Sequence, residues 1–119
     1  MSLSPACMGC PLAHCQPVAN RGPEDAPVVV VGQCPGAEEV KLGKAFVGPS
    51  GKILVEALTE AGIDPRQILY TNTVRCWDGD TPKAKLIEQC RPHLTETIGR
   101  HPRRLIITLG NEACYTMLG

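Results

Sequence analysis

Pro27-Val-Val-Val-Val31 runs directly into Gly32-Gln-Cys-Pro-Gly36. Consecutive β-branched residues without alternation are the pattern of a strand buried on both faces, and the glycines that follow close it in a loop. Two further runs repeat the pattern downstream: Ile68-Leu-Tyr-Thr71, and Leu105-Ile-Ile-Thr-Leu109, which Gly110 ends. Helical periodicity fills the intervals. Ile53, Leu54, Ala57, Leu58 and Ala61 share a helical face, with Ser50 placed to cap the start and Gly62 to stop the end. Thr81 is placed to cap a second helix with Pro82 at its first position. That helix carries Leu86, Ile87 and Cys90 on one face, is bent or restarted at Pro92, and continues to about Gly99. Asn111 caps a last helix through Leu118, and residues 37–49 read as loop with a short helical turn through Glu38 and Glu39. Strand and helix alternate throughout. The expectation is an α/β protein, a three-layer α/β/α arrangement around a central parallel sheet. Functional groups in such sheets gather at the carboxyl ends of the strands, here Gly32–Gly36, Asn72–Cys76 and Gly110–Asn111.

The 119 residues suit a single domain: an irregular Cys-, Pro- and Gly-rich arm over 1–26 and an α/β body over 27–119. Phe46, Tyr70, Trp77 and Tyr115 are its aromatic residues, so the core must rest on Val, Leu, Ile and Ala. Lys+Arg and Asp+Glu both number 12, giving zero net charge. A free-standing nucleic-acid binder is usually basic, which weighs against a whole-surface electrostatic footprint. A local patch stays open. Arg100, His101, Arg103 and Arg104 form one candidate, with a solvated loop beside a strand as the plain alternative. No signal peptide is evident, and the apolar run at Pro27–Val31 is far short of the ~20 residues that cross a bilayer. A cytoplasmic protein with no membrane partner is expected.

Seven cysteines in a reducing compartment point to metal or catalysis rather than disulfides. Cys7 and Cys10 form a C-x2-C pair in the arm, Cys76 follows the second strand, and Cys90 lies on a helix. Four thiolates from arm and body would pin one to the other, and they suit zinc or an iron–sulfur cluster; the spacing does not choose. Cys15 is a substitute ligand candidate, and Cys114 falls on an apolar helical face. Gly48-Pro-Ser-Gly51-Lys52 is only a fragment of a phosphate loop, because Ile53 stands where a Ser or Thr is needed.

Several segments occur in one order at matching intervals: Val31-Gly-Gln-Cys-Pro-Gly-Ala-Glu-Glu39, Gly43-Lys-Ala-Phe-Val-Gly-Pro-Ser-Gly51, Ala61-Gly-Ile63, Tyr70-Thr-Asn-Thr-Val-Arg-Cys76, Cys90-Arg-Pro-His-Leu94 and Ile107-Thr-Leu-Gly110. Together they resemble the family 4, iron–sulfur uracil-DNA glycosylases and the related domain of phage-type DNA polymerases. The resemblance implies a [4Fe-4S] cluster on Cys7, Cys10, Cys76 and Cys90, with zinc as the alternative. It implies uracil-containing DNA as substrate and hydrolysis of the N-glycosidic bond. Phe46 matches the aromatic that stacks on the flipped base. Asn72 matches the amide on the uracil edge, one donor and one acceptor for the adjacent O4 and N3–H. Gly32, Cys34, Pro35 and Gly36 belong to the loop that approaches the base, and Gln33 occupies the catalytic position within it.

The chain departs from the family at several points. Gln33 stands where a Glu is usual; a carboxylate can deprotonate water, whereas an amide can only hydrogen-bond. Cys34 replaces Ala or Gly, and Ala45 replaces Pro. The family continues into a further strand and a His-Pro loop, whereas this sequence ends at Gly119, and His101-Pro102 precedes the third strand. The interval from Cys76 to Cys90 leaves no room for the basic insert of the uracil-crosslinking class. The strand at Leu105–Leu109 would then be an apolar edge, which predicts a cover: another chain, a dimer mate, or the C-terminal region of a longer protein. Two functions follow, a glycosylase of base excision repair, or a non-catalytic iron–sulfur module that binds DNA or docks in a repair or replication assembly.

Overall fold

The structure, a computed structural model, describes residues 18–76 and 83–118. Cys7, Cys10, Cys15, Thr81 and Pro82 lie outside those residues. Strand β1 (Val28–Gly32) is followed by helices α1 (Ala37–Leu42) and α2 (Pro49–Glu60) and a 3-10 turn at Pro65–Gln67. Then come β2 (Ile68–Asn72), α3 (Lys83–Gly99), β3 (Leu105–Thr108) and α4 (Asn111–Leu118). The sheet order is β2-β1-β3, and both pairings are parallel.

The run of valines is the central strand, as its pattern requires. Val29, Val30 and Val31 are completely buried. Val29 and Val31 join Leu69, Leu94 and Ala113 on the α3/α4 face, while Val30 joins Ile68, Tyr70 and Leu58 on the α2 face. Helices therefore cover both faces, giving the expected three layers. The register runs from Val28 opposite Ile68 to Gly32 opposite Asn72 on one side, and from Val28 opposite Leu105 to Val31 opposite Thr108 on the other.

Three local features differ from the sequence expectation. Residues 37–42 form a true helix, because Glu39 turns back to accept the Gly36 N–H at 2.9 Å and Gly43 closes the end in the left-handed region (φ 72°). Helix α2 is capped by Gly48 with Pro49 in its first turn, so Ser50 is already inside it; the fixed φ of proline suits that position. Helix α3 passes Pro92 without a break. Pro92 is exposed, so the carbonyl deprived of its helical donor can bond water.

The two sheet edges are unlike. Arg21 pairs antiparallel with Tyr70 along the outer side of β2, through N–H···O bonds of 3.0 and 2.8 Å. Strand β3 has no strand on its outer side among the described residues, and Leu105 there is 47% exposed. No helix of the described residues is long and apolar enough to cross a membrane.

The basic patch anticipated around residues 100–104 is taken apart by the fold. The Arg103 guanidinium donates to the carbonyls of Ala26 (2.6 Å), Thr97 (2.8 Å) and Ile98 (3.3 Å), closing the end of α3 onto the entry to β1. Arg100 pairs with Glu96 and, at 3.8 Å, with Glu24. Charge-assisted bonds to otherwise orphaned helix-end carbonyls contribute about 1.5–3 kcal/mol each at most. Arg103→Ala should therefore lower the unfolding free energy by roughly 1–3 kcal/mol, read as a lower urea midpoint at unchanged slope. A midpoint equal to that of the parent would refute the clamp.

Candidate active site at the carboxyl ends of the strands

Strand β1 ends at Gly32, opposite Asn72 at the end of β2. A methyl group built on Gly32 would lie 2.5 Å from Asn72 Oδ1 and 2.7 Å from Phe46 Cζ. Only glycine admits this approach, and it brings the amide and the aromatic ring together over one backbone position. Asn72 is 7% exposed and its side chain makes no hydrogen bond among the described residues. The amide atoms of Asn72 are not among the fully buried unpartnered polar atoms of the described residues, so they keep an open side. Both groups remain available to a ligand.

Phe46 adopts φ 56°, the one non-glycine residue in the left-handed region among those described. That conformation costs about 1–2 kcal/mol for an ordinary L residue, so its surroundings must impose it. They do so from several sides. Arg21 Nη1 donates to the Phe46 carbonyl at 2.9 Å. The Ala45 N–H donates to the Ala19 carbonyl at 3.2 Å. Glu39 Oε2 accepts the Val47 N–H at 3.0 Å and also the Gly48 N–H. A side chain on Gly51 would lie 2.1 Å from the Phe46 carbonyl oxygen, so α2 packs there on bare backbone. The Phe46 ring tilts against Tyr70, with centroids 5.7 Å apart and planes at 47°. The Arg21 guanidinium lies 5.2 Å from the Tyr70 ring centroid, and the Tyr70 hydroxyl donates to the Pro65 carbonyl at 2.8 Å. Burial raises the Tyr70 phenol above its ordinary pKa, partly offset by the positive charge of Arg21.

The loop after β1 continues the pairing with the segment after β2. The Gly32 carbonyl accepts the Thr73 N–H at 2.9 Å. The Gln33 carbonyl accepts the Val74 N–H at 2.9 Å and the Thr73 hydroxyl at 2.6 Å. The Gln33 side chain lies along Gly110 at the end of β3, where an added Cβ would come 2.2 Å from Nε2. Pro35 is fully buried, and Gly36 is the α1 cap held by Glu39. Cys34 is half-buried and packs on Val74, Cys76, Leu86 and Cys90 rather than on Phe46.

Cys76 and Cys90 are both buried, one just past β2 and the other on α3, in that single apolar cluster. Two buried thiols in one apolar cluster are of the ligand type that a thiolate-bound metal or cluster uses. Among the described residues no group of three or more His, Cys, Asp or Glu side chains is placed to hold a metal. The other two candidate ligands, Cys7 and Cys10, lie outside those residues.

Arg21, Glu39 and Gly51 carry much of this geometry and were not singled out by the sequence as site residues. Glu39 had half a signal, a carboxylate three residues after Gly36, but glycine at the cap lacks the side chain that would complete a capping box. Arg21 had none, because it acts on a residue 25 positions away in the chain, and Gly51 was hidden by its likeness to a phosphate-loop glycine.

Comparison with known proteins identifies the family. The sequence model of the uracil DNA glycosylase superfamily matches residues 19–119. A type-4 uracil-DNA glycosylase of Thermotoga maritima is 40% identical over 111 residues, covering 90% of this chain and 58% of the relative. The type-4 uracil-DNA glycosylase of Pyrobaculum aerophilum is 37% identical over 108 residues, covering 87% and 55%. That of Archaeoglobus fulgidus is 32% identical over 98 residues, covering 81% and 49%. The chain thus spans about half the length of the curated relatives it matches. Matched over nearly all of its α/β body, it belongs to the uracil DNA glycosylase superfamily.

Proposed function

We propose that this chain supplies the base-recognising part of a type-4 uracil-DNA glycosylase, acting in the cytoplasm on uracil-containing DNA in base excision repair. The meeting of Phe46 and Asn72 over Gly32 carries the reading. A uracil extruded from the base stack presents a flat face and an O4/N3–H edge. The Phe46 ring suits the face. Asn72 suits the edge, with Nδ2 donating to O4 and Oδ1 accepting from N3–H. Hydrolysis joins a water oxygen to the sugar C1′ and breaks the bond from C1′ to N1. The bonding pair leaves on the uracil ring, where the Asn72 donor stabilises the charge growing on O4. The water gives up its proton to solvent, or to a group outside the described residues.

Cys7, Cys10, Cys76 and Cys90 would hold a [4Fe-4S] cluster, with zinc as the alternative occupant of the same thiolates. The cluster's contribution is structural: it ties the 1–26 arm to the body. The outer side of β3 would be covered by a partner chain, a dimer mate or further sequence of a longer protein, since an apolar edge invites pairing.

One observation favours a second reading, a non-catalytic iron–sulfur module that binds DNA or docks in an assembly. Gln33 is neutral and lies against Gly110, at the position where the family resemblance leads one to expect a carboxylate.

Excision assays on single- and double-stranded oligonucleotides separate the two. The glycosylase reading requires an abasic product, and Asn72→Ala should lower its rate by about 10²–10³-fold, the range for a lost preorganised donor. The melting temperature should stay near the parent's, because the Asn72 side chain makes no hydrogen bond among the described residues. DNA binding without any abasic product at high protein concentration would establish the docking module instead. Anaerobically purified protein should absorb broadly near ~400 nm, as thiolate-ligated clusters do, and Cys76→Ser or Cys90→Ser should abolish the band. A colourless sample containing stoichiometric zinc would discard the cluster.

A further inference from the structure

We infer that Arg21 is a positioning residue that sets the base-stacking ring of Phe46, and so tunes selectivity for an extruded uracil; the inference rests on the uracil-site reading above. Arg21 stands on β2 in two ways, through its backbone pairing with Tyr70 and through its guanidinium over the Tyr70 ring. From that footing Nη1 reaches the Phe46 carbonyl at 2.9 Å. Phe46 is the residue whose backbone sits in the left-handed region, so a bond to its carbonyl helps hold the backbone from which its ring projects. The Phe46 ring in turn rests on Tyr70, the residue that Arg21 also holds. Arg21, Tyr70 and Phe46 therefore form a closed triangle, with Phe46 Cζ at the Gly32 and Asn72 corner.

A free arginine on the rim of a DNA site would instead serve as a phosphate contact. Arg21 shares a groove of ≈ 420 Å³ beside Phe46 with Lys52, so both roles have to be told apart. The geometry favours the strut, because the guanidinium is already engaged by a carbonyl and a ring. Lysine cannot reproduce the combination of planar stacking and a directed N–H.

Phe46 is the sole phenylalanine of the chain, so 4-fluorophenylalanine labelling yields one 19F resonance that reports this ring alone. Arg21→Ala should move that resonance toward its position in the denatured chain, while far-ultraviolet circular dichroism stays unchanged. Arg21→Lys should move it part of the way and serves in place of Arg21→Ala if the latter fails to fold. Lys52→Ala, which removes a neighbouring charge, should leave it in place. The functional readout is the affinity ratio between an oligonucleotide carrying uracil and the same one carrying a tetrahydrofuran abasic residue. Arg21→Ala should lower the ratio by roughly tenfold, the scale of one charge-assisted hydrogen bond. In a Phe46→Ala background it should lower it no further. The dependence on salt should keep its slope, whereas loss of a phosphate contact would reduce it by about one. A resonance unmoved in Arg21→Ala, additive losses, or a reduced salt slope would each overturn the strut. A moved resonance in a protein with no preference for uracil would leave the strut standing and remove the uracil-site reading.

Discussion

Strand β1 is hydrogen-bonded on both sides and covered on both faces, and the meeting of Gly32, Asn72 and Gln33 with their neighbours at the strand ends depends on its register. Val29, Val30 and Val31 are wholly buried, with alternate side chains committed to the α3/α4 layer and the α2 layer. Because residues 28–31 are all valine, a slip of one residue would leave valines on both faces; what it would displace is Gly32, the bare position against which Asn72 and Phe46 meet. The register that survives puts Gly32 beside Asn72, and the Leu109 N–H on the Val31 carbonyl at 2.9 Å. From it follow the meeting of Phe46 and Asn72 over a bare Cα and the contact of Gln33 with Gly110. The site is built at the ends of the strands, where Gly32 opposite Asn72 distinguishes a register that the valines alone would not.

The strands were legible because an unalternating β-branched run has few other uses. The same lack of alternation hid which valine faces which layer; only α2, α3 and α4 in place decide it. Helix α1 was legible as no more than a turn, since Gly36 carries no side chain to announce a cap and Glu39 supplies the bond from the other end. Gly51 looked like part of a phosphate loop, whereas it lets α2 lie on the Phe46 carbonyl. The left-handed backbone of Phe46 had no signature at all. Phenylalanine does not favour that conformation, and the groups that impose it, Arg21, Glu39 and Gly51, converge from three separate segments. Cys76 and Cys90 were legible as a pair, but the membership of Cys34 in their apolar cluster follows from the bend after β1.

Zero net charge also takes on a different meaning in the structure. Three arginines are turned onto uncharged oxygens: Arg21 on Phe46, Arg75 on Thr97 Oγ1 at 2.6 Å, and Arg103 on three carbonyls. Each reinforces a junction that the apolar clusters also hold, namely the Phe46 loop, the end of β2 with α3, and the end of α3 with the entry to β1. Others are engaged at the surface, Arg66 with Asp64, Arg91 with Glu88 and Arg100 with Glu96. Exposed pairs of that kind stabilise little. The interior forks do more, because a planar guanidinium can satisfy several carbonyls at once in a chain poor in aromatic residues. A count of basic residues therefore says little about the cationic surface that DNA would meet.

Gln33 is where chemistry and packing bear on one another most directly. Its amide lies along Gly110, a position with φ 93° where any side chain would collide with it. The amide is thus seated between the ends of β1 and β3, and its carbonyl is held by Thr73 and Val74. An amide in this seat keeps its charge state at every physiological pH, unlike a carboxylate, which would titrate with its surroundings. It can orient a water molecule but cannot take its proton. Under the glycosylase reading, rate enhancement at this site must then come from stabilising the departing uracil, through Asn72 and the surrounding dipoles, more than from activating the nucleophile. That division of labour suits a bond whose cleavage builds charge on the base before water has closed on the sugar.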